Sequence, residues 1–196
     1  KVSNTIEKIN MTLRTYTGGY LRFERDHYMG GKNPWPIATL WMAMYYREIN
    51  DIKKENIITF INVSRHDDMH KKVSRIIEAT KKLNDEKYKF RVILVGDGAD
   101  HDKYIDMIKE NNTENIILTG SKKNPFPYYN ISDAFVFSSA YEGYGIVLNE
   151  ARVLNIPIIT TDVADAKLIT DEGYGILCEN SENGIYEGMK EFLDKG

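Results

Sequence analysis

Ser138-Ser139-Ala140-Tyr141-Glu142-Gly143-Tyr144-Gly145-Ile146-Val147-Leu148-Asn149-Glu150-Ala151 is the stretch that decides the fold of this chain. It follows the short apolar run Ala134 to Phe137 and leads into a run of helical period, so it reads as the turn from a buried strand into a helix. The glycines let the backbone turn tightly and leave free amides at a helix N-terminus, an arrangement that suits a phosphate. Glu142 precedes the turn and Glu150 lies on the first turns of the helix. A Gly-x-Gly pair alone marks no more than a tight turn with a dipole-favoured acidic residue. Two carboxylates on the same turn add acceptors for the hydroxyls of a sugar.

The same pattern extends outward. Apolar, branched runs at 57–63, 90–95, 115–118, 134–137 and 157–161 alternate with charged stretches of helical period, the pattern of βαβ units around a parallel sheet. The expected class is α/β, a Rossmann-like parallel sheet flanked by helices. The spacing predicts helices over 71–83, 102–110, 147–154 and 184–193. In the first of these Val73, Ile76, Ile77 and Thr80 share one face, and Lys72, Arg75 and Lys82 turn outward. Pro157 opens a strand, where a missing amide is tolerated.

A second cluster, Phe60-Ile61-Asn62-Val63-Ser64-Arg65-His66-Asp67-Asp68-Met69-His70-Lys71, ends the first strand. Arg65 and Lys71 then fall on the carboxyl edge of the sheet, where open α/β sheets bind ligands, and two cations there could neutralise a diphosphate without a metal. His66, Asp67, Asp68 and His70 carry metal-ligand chemistry, but no third anchoring cluster accompanies them, so no metal is expected. Gly96-Asp97-Gly98 closes the second strand on the same edge.

Composition bounds the possibilities. At 196 residues the chain has room for one domain plus a fragment. With 42% hydrophobic and 28% charged residues it can bury a core. No apolar run reaches the roughly 18 residues of a membrane span, and no basic-then-apolar leader opens the sequence, so the expectation is a soluble, cytoplasmic protein. A net charge of −3 argues against nucleic acid as a partner, and the single cysteine, Cys178, against an internal disulfide.

The charge is unevenly spread. Residues 1–54 hold nine basic and five acidic residues, net +4, leaving 17 against 24, net −7, for the other 142. Both tryptophans, Trp35 and Trp41, and eight of the 22 aromatics lie in that first part. Pro34-Trp35-Pro36 followed by Ile37 to Ile49 reads as a helix, apolar on nearly every side through Ile37, Leu40, Trp41, Met44 and Tyr45. The expected division is a short, mainly helical segment 1–52 and an α/β domain 53–196.

Residues 56–196 resemble the carboxyl-terminal, donor-binding half of the GT-B glycosyltransferases, in particular the retaining family four, group 1. The likeness is carried in order by Ser64-Arg65, Lys71, Gly96-Asp97-Gly98, Asn124-Pro125-Phe126-Pro127-Tyr128, Ser132-Asp133-Ala134-Phe135-Val136 and the Glu-x7-Glu element Glu142 to Glu150. The resemblance implies a glycosyl transfer from a nucleotide diphosphate sugar, with no cofactor or metal, and a place in polysaccharide biosynthesis. It implies that Arg65, Lys71 and the amides of Gly143, Tyr144, Gly145, Ile146 and Val147 hold the diphosphate. Glu150 would bind the ribose, Glu142 would be the catalytic residue beside the donor sugar, and Ser121, Lys122, Asn124 and Pro125 would line the base. The sequence departs from the family twice: Val163-Ala164-Asp165-Ala166 stands where a glycine-rich turn is common, and Lys72 where a glycine usually follows the lysine. The acceptor-binding domain of such enzymes has no counterpart here, which implies a separate acceptor-binding subunit and a location that can extend to the inner face of a membrane.

Residues 11–50 resemble instead the closing segment of glucoamylase-type glycoside hydrolases, through Gly18-Gly19, Gly30-Gly31, Pro34-Trp35-Pro36 and Leu40-Trp41. Glu24 falls at or near the place of that family's catalytic base, here a vestige. Inversion needs a second carboxylic acid roughly 6.5–9.5 Å away, and the segment is too short to hold one. The alternatives to donor binding are therefore a hydrolase fragment or a nonenzymatic carbohydrate-binding or interaction domain.

Overall fold

The computed structural model describes residues 57–143, 145–163, 166 and 175–195. The 1–52 segment, with Glu24 and the 37–49 helix, lies outside the described residues, as does Tyr144. Six strands make one parallel sheet: β1 (Ile58–Val63), β2 (Phe90–Val95), β3 (Ile116–Gly120), β4 (Ala134–Phe137), β5 (Ile158–Thr161) and β6 (Gly175–Cys178). Their order is β3-β2-β1-β4-β5-β6. The helices between them are α1 (Ser74–Asp85), α2 (His101–Glu110), α3 (Phe126–Asn130), α4 (Ile146–Val153) and α5 (Glu182–Lys195).

The strands read as continuous apolar runs because both faces of the sheet are covered. Alternate side chains feed two cores. Phe60, Val92, Leu94, Val136 and Ile159 pack with Val73, Ile76, Ile77 and Leu83 of the α1 region and Ile185 and Met189 of α5. Ile61, Ile93, Phe135, Phe137 and Ile158 pack with Tyr129 of α3 and Leu148 and Ala151 of α4. Val163 and Ala166, in place of the expected glycine-rich turn, join that second core.

The order reverses between β1 and β4, which pair through Phe60 with Ala134 and Ile61 with Phe135. Buried Asn62 secures the seam: its amide donates to the Val136 carbonyl at 2.8 Å. The helices that follow these two strands pack on opposite faces of the sheet, and such a switch point is where open α/β sheets form a crevice at the carboxyl ends.

Two differences from the sequence expectation have local causes. The first helix begins at Ser74, not at 71. Lys72 takes a left-handed φ of 48°, the conformation that explains a glycine there in the family, and it breaks the helical run. The Asp68 Oδ1 then accepts from the Ser74 amide at 3.1 Å and opens the helix. A short helix that the spacing does not predict, α3, starts at Phe126, whose amide donates to Asn124 Oδ1 at 3.2 Å.

Candidate functional site

The loop from β1 to α1 carries Arg65 and Lys71, and the loop from β4 to α4 carries Glu142 and Gly143. Backbone contacts hold the two together: the Ala140 amide donates to the His70 carbonyl at 2.8 Å, and Ser138 Oγ to the Lys71 carbonyl at 2.9 Å. Lys71 Nζ makes a close ion pair with Glu142 Oε2, both side chains about four-fifths buried, with the Phe137 ring centroid 5.8 Å from the ammonium. Two residues 71 positions apart thus meet at the switch point. Gly145 caps α4 with no side-chain hydrogen bond, so the first helical amides have no side-chain cap.

Arg65 lies on the same edge but turns outward. Its side chain is 71% exposed and approaches Asp67 Oδ2 at 3.5 Å. Glycines set the height of this loop. A Cβ at Gly96 would sit 1.8 Å from the Ser64 carbonyl oxygen, and one at Gly98 would sit 2.4 Å from that of His66. Gly96-Asp97-Gly98 is therefore the bed on which the Arg65 loop lies.

Glu150 projects from α4 toward α3, where Tyr129 Oη donates to its Oε2 at 3.4 Å. Burial pushes its pKa up, partly opposed by the tyrosine bond. Ser121 and Lys122 are exposed after β3, while Asn124 and Pro125 are half-buried at the start of α3. The structure brings Lys71 and Glu142 together, with Gly143 following Glu142 on the loop that leads into α4, and leaves Arg65 exposed on the same edge and Ser121 to Pro125 on the segment after β3.

The four metal-type residues do not converge. Asp67 accepts from His70 Nδ1 at 2.9 Å, which lowers its pKa. Asp68 accepts from Ser74, from Lys103 at 2.7 Å and from Tyr104 Oη at 3.0 Å. Burial acts to raise the Asp68 pKa, but these bonds outweigh it and hold it at about 2. His66 is fully buried and stacks on His101, with Nδ1 to Nδ1 at 2.8 Å. Burial, and then the charge of His101, lower its pKa to about 4. Among the described residues no three His, Cys, Asp or Glu side chains form a metal cage.

Sequence reasoning missed a layer behind the site. Arg75, expected to turn outward, folds back to donate to the Ser138 carbonyl at 3.2 Å. Asn180 and Thr161 also reach carbonyls of the 138–140 segment. Helical period separates an outward from an inward Cβ, but it does not show where a long guanidinium ends.

Comparison with known proteins agrees with this geometry. The family model "Glycosyl transferases group 1" matches residues 46–196. The N-acetylgalactosamine-N,N'-diacetylbacillosaminyl-diphospho-undecaprenol 4-alpha-N-acetylgalactosaminyltransferase of Campylobacter jejuni is 31% identical over 108 residues, 53% of this chain and 30% of that enzyme. The crystal structure of WaaG, a glycosyltransferase involved in lipopolysaccharide biosynthesis, superposes with a TM-score of 0.65 at 24% identity, covering 76% of this chain and 41% of that one, a likeness of fold. A shorter match, 40% identical over 55 residues, is to an uncharacterized glycosyl hydrolase of Methanocaldococcus jannaschii, covering 28% of this chain and 9% of that protein. The chain spans about a third of the length of the curated glycosyltransferases it matches. Among the described residues no helix is long and apolar enough to cross a membrane. The six-stranded parallel sheet and the family match over residues 46–196 together establish that this chain belongs to the group 1 glycosyl transferases, with the fold of the GT-B carboxyl-terminal domain.

Proposed function

We propose that this chain supplies the donor half of a glycosyl transfer, holding a nucleotide diphosphate sugar at the carboxyl ends of β1 and β4 while a separate domain or subunit holds the acceptor. The observation that carries the reading is the meeting of Lys71 and Glu142 beside the α4 N-terminus. When the bond from the sugar to the diphosphate breaks, its electron pair stays on a phosphate oxygen. In this reading Lys71 and the Ile146 and Val147 amides at the start of α4 stabilise that charge, with Arg65 turning in from the rim of the edge. Before the donor arrives, Glu142 balances the Lys71 ammonium. An arriving diphosphate takes over that role, and the Glu142 carboxylate is then free to face the donor sugar.

Glu150 would accept from the ribose hydroxyls, with Tyr129 fixing the carboxylate, and residues 121–125 would border the base. The proposed domain, 53–196, contains every one of these groups. Glycosyl transfer also needs the acceptor hydroxyl positioned against the anomeric carbon, so donor binding is the step in which these residues are tested. Calorimetric titration with UDP, GDP, ADP and their sugars tests the reading: one series binds to the wild type and is lost in Lys71→Ala, while absence of binding to all of them rejects it.

The 55-residue hydrolase match favours one second reading, in which residues 11–50 are a hydrolase-derived segment that contacts carbohydrate. Binding of maltooligosaccharides that survives Lys71→Ala and is lost on removing residues 1–52 would support it.

A further inference from the structure

The segment Ser138 to Ala140 carries Glu142 away from β4, and its three consecutive carbonyls are each tied to a side chain from a different element. Arg75 Nη1, on α1, donates to the Ser138 carbonyl at 3.2 Å. Thr161 Oγ1, at the end of β5, donates to the Ser139 carbonyl at 2.6 Å. Asn180 Nδ2, in the turn from β6 to α5, donates to the Ala140 carbonyl at 2.9 Å. Arg75 and Asn180 are themselves joined, with Nη1 to Asn180 Oδ1 at 2.7 Å and Nη2 to the Asn180 carbonyl at 3.4 Å.

Three held carbonyls fix three peptide planes, and a peptide plane is the unit by which a backbone changes direction. Two donors of the segment are occupied too. The Ala140 amide donates to the His70 carbonyl and Ser138 Oγ to that of Lys71. The path of the chain into Glu142 and Gly143, and its distance from Lys71, are thus set from behind by side chains that do not pair with Lys71 or Glu142.

We infer that Arg75, Thr161 and Asn180 are positioning residues that hold the 138–140 segment so that Glu142 meets Lys71 and α4 presents its amides to the donor. The inference rests on the donor reading above for its functional consequence, but the clamp itself is a property of the free chain.

Asn180→Asp separates the clamp from general stability. The aspartate retains acceptors for Arg75, now charge-assisted, and lacks the N–H that holds the Ala140 carbonyl. The thermal midpoint is expected to stay at or above that of the wild type. Amide exchange at Ala140 to Gly143 is expected to quicken by about tenfold, the effect of one lost hydrogen bond. Affinity for whichever of UDP, GDP or ADP the wild type binds should fall by a similar factor. Wild-type exchange in this segment overturns the clamp. Faster exchange with unchanged nucleotide affinity overturns its positioning role. If the wild type binds none of the three nucleotides the donor reading fails, and the exchange measurement still decides whether the clamp exists.

Discussion

At the residue scale, Glu150, the proposed ribose ligand, shows how such a group can oppose stability. Its carboxylate lies in a setting that raises its pKa through burial, with the Tyr129 hydroxyl as a partial remedy. Glu150→Gln keeps the shape and an acceptor for Tyr129 and removes the buried charge. The thermal midpoint should rise, by the equivalent of about 1 kcal/mol, while nucleotide affinity drops about tenfold through loss of a charged acceptor. The ionised carboxylate is the form that accepts from a ribose, so wild-type affinity should weaken as pH falls through the raised pKa, and calorimetry of the Gln variant should show a flatter profile. Glu150 and Lys71 were legible in the sequence as members of ordered motifs. The Lys71–Glu142 ion pair was not, because the partners lie 71 positions apart and no spacing rule reports a contact made by topology.

At the element scale, the strands were the most readable part. β2 and β4 fall where their apolar runs lie, since a strand covered on both faces leaves an uninterrupted signature. β6 was missed: Gly175-Ile176-Leu177-Cys178 is four residues long, and its pairing with β5 decides its state more than its own propensity does. α3 was missed for a similar reason, since five residues beginning Phe126-Pro127 are too short for a periodic signal. The strand-end glycines give a sharp test of how tightly the site loops are seated. In Gly96→Ala the new methyl meets the Ser64 carbonyl, which belongs to backbone and has no rotamer to change. The substitution should cost about 3 kcal/mol or more in chemical denaturation, as overpacking against fixed atoms does. Lys72→Gly should instead be neutral or mildly stabilising, within about 1 kcal/mol, because it relieves a left-handed lysine.

At the scale of the whole molecule, the sheet order sets where the chemistry sits, and the charges around its carboxyl edge set how the fold answers to acid. His66 has its pKa lowered to about 4 from 6.5, so below pH 6.5 the unfolded chain takes up a proton that the folded one refuses. Stability should therefore fall as pH drops from 6.5 toward 4, by up to about 3 kcal/mol. A second loss should follow between 3.8 and about 2 as Asp68 is protonated away from Lys103, Ser74 and Tyr104. Denaturant midpoints measured across this range should show both phases, with the first missing in His66→Leu. The family match, the parallel sheet and the paired switch-point loops support the use proposed for this edge, the holding of an activated sugar donor. Titration calorimetry of the intact chain with UDP, GDP and ADP, in parallel with Lys71→Ala, Arg65→Ala and Glu150→Ala, tests that use most directly. Binding of one nucleotide to the wild type, about tenfold or more weaker in each variant, is the expected result; a wild type that binds no nucleotide, or binding indifferent to all three substitutions, would contradict it.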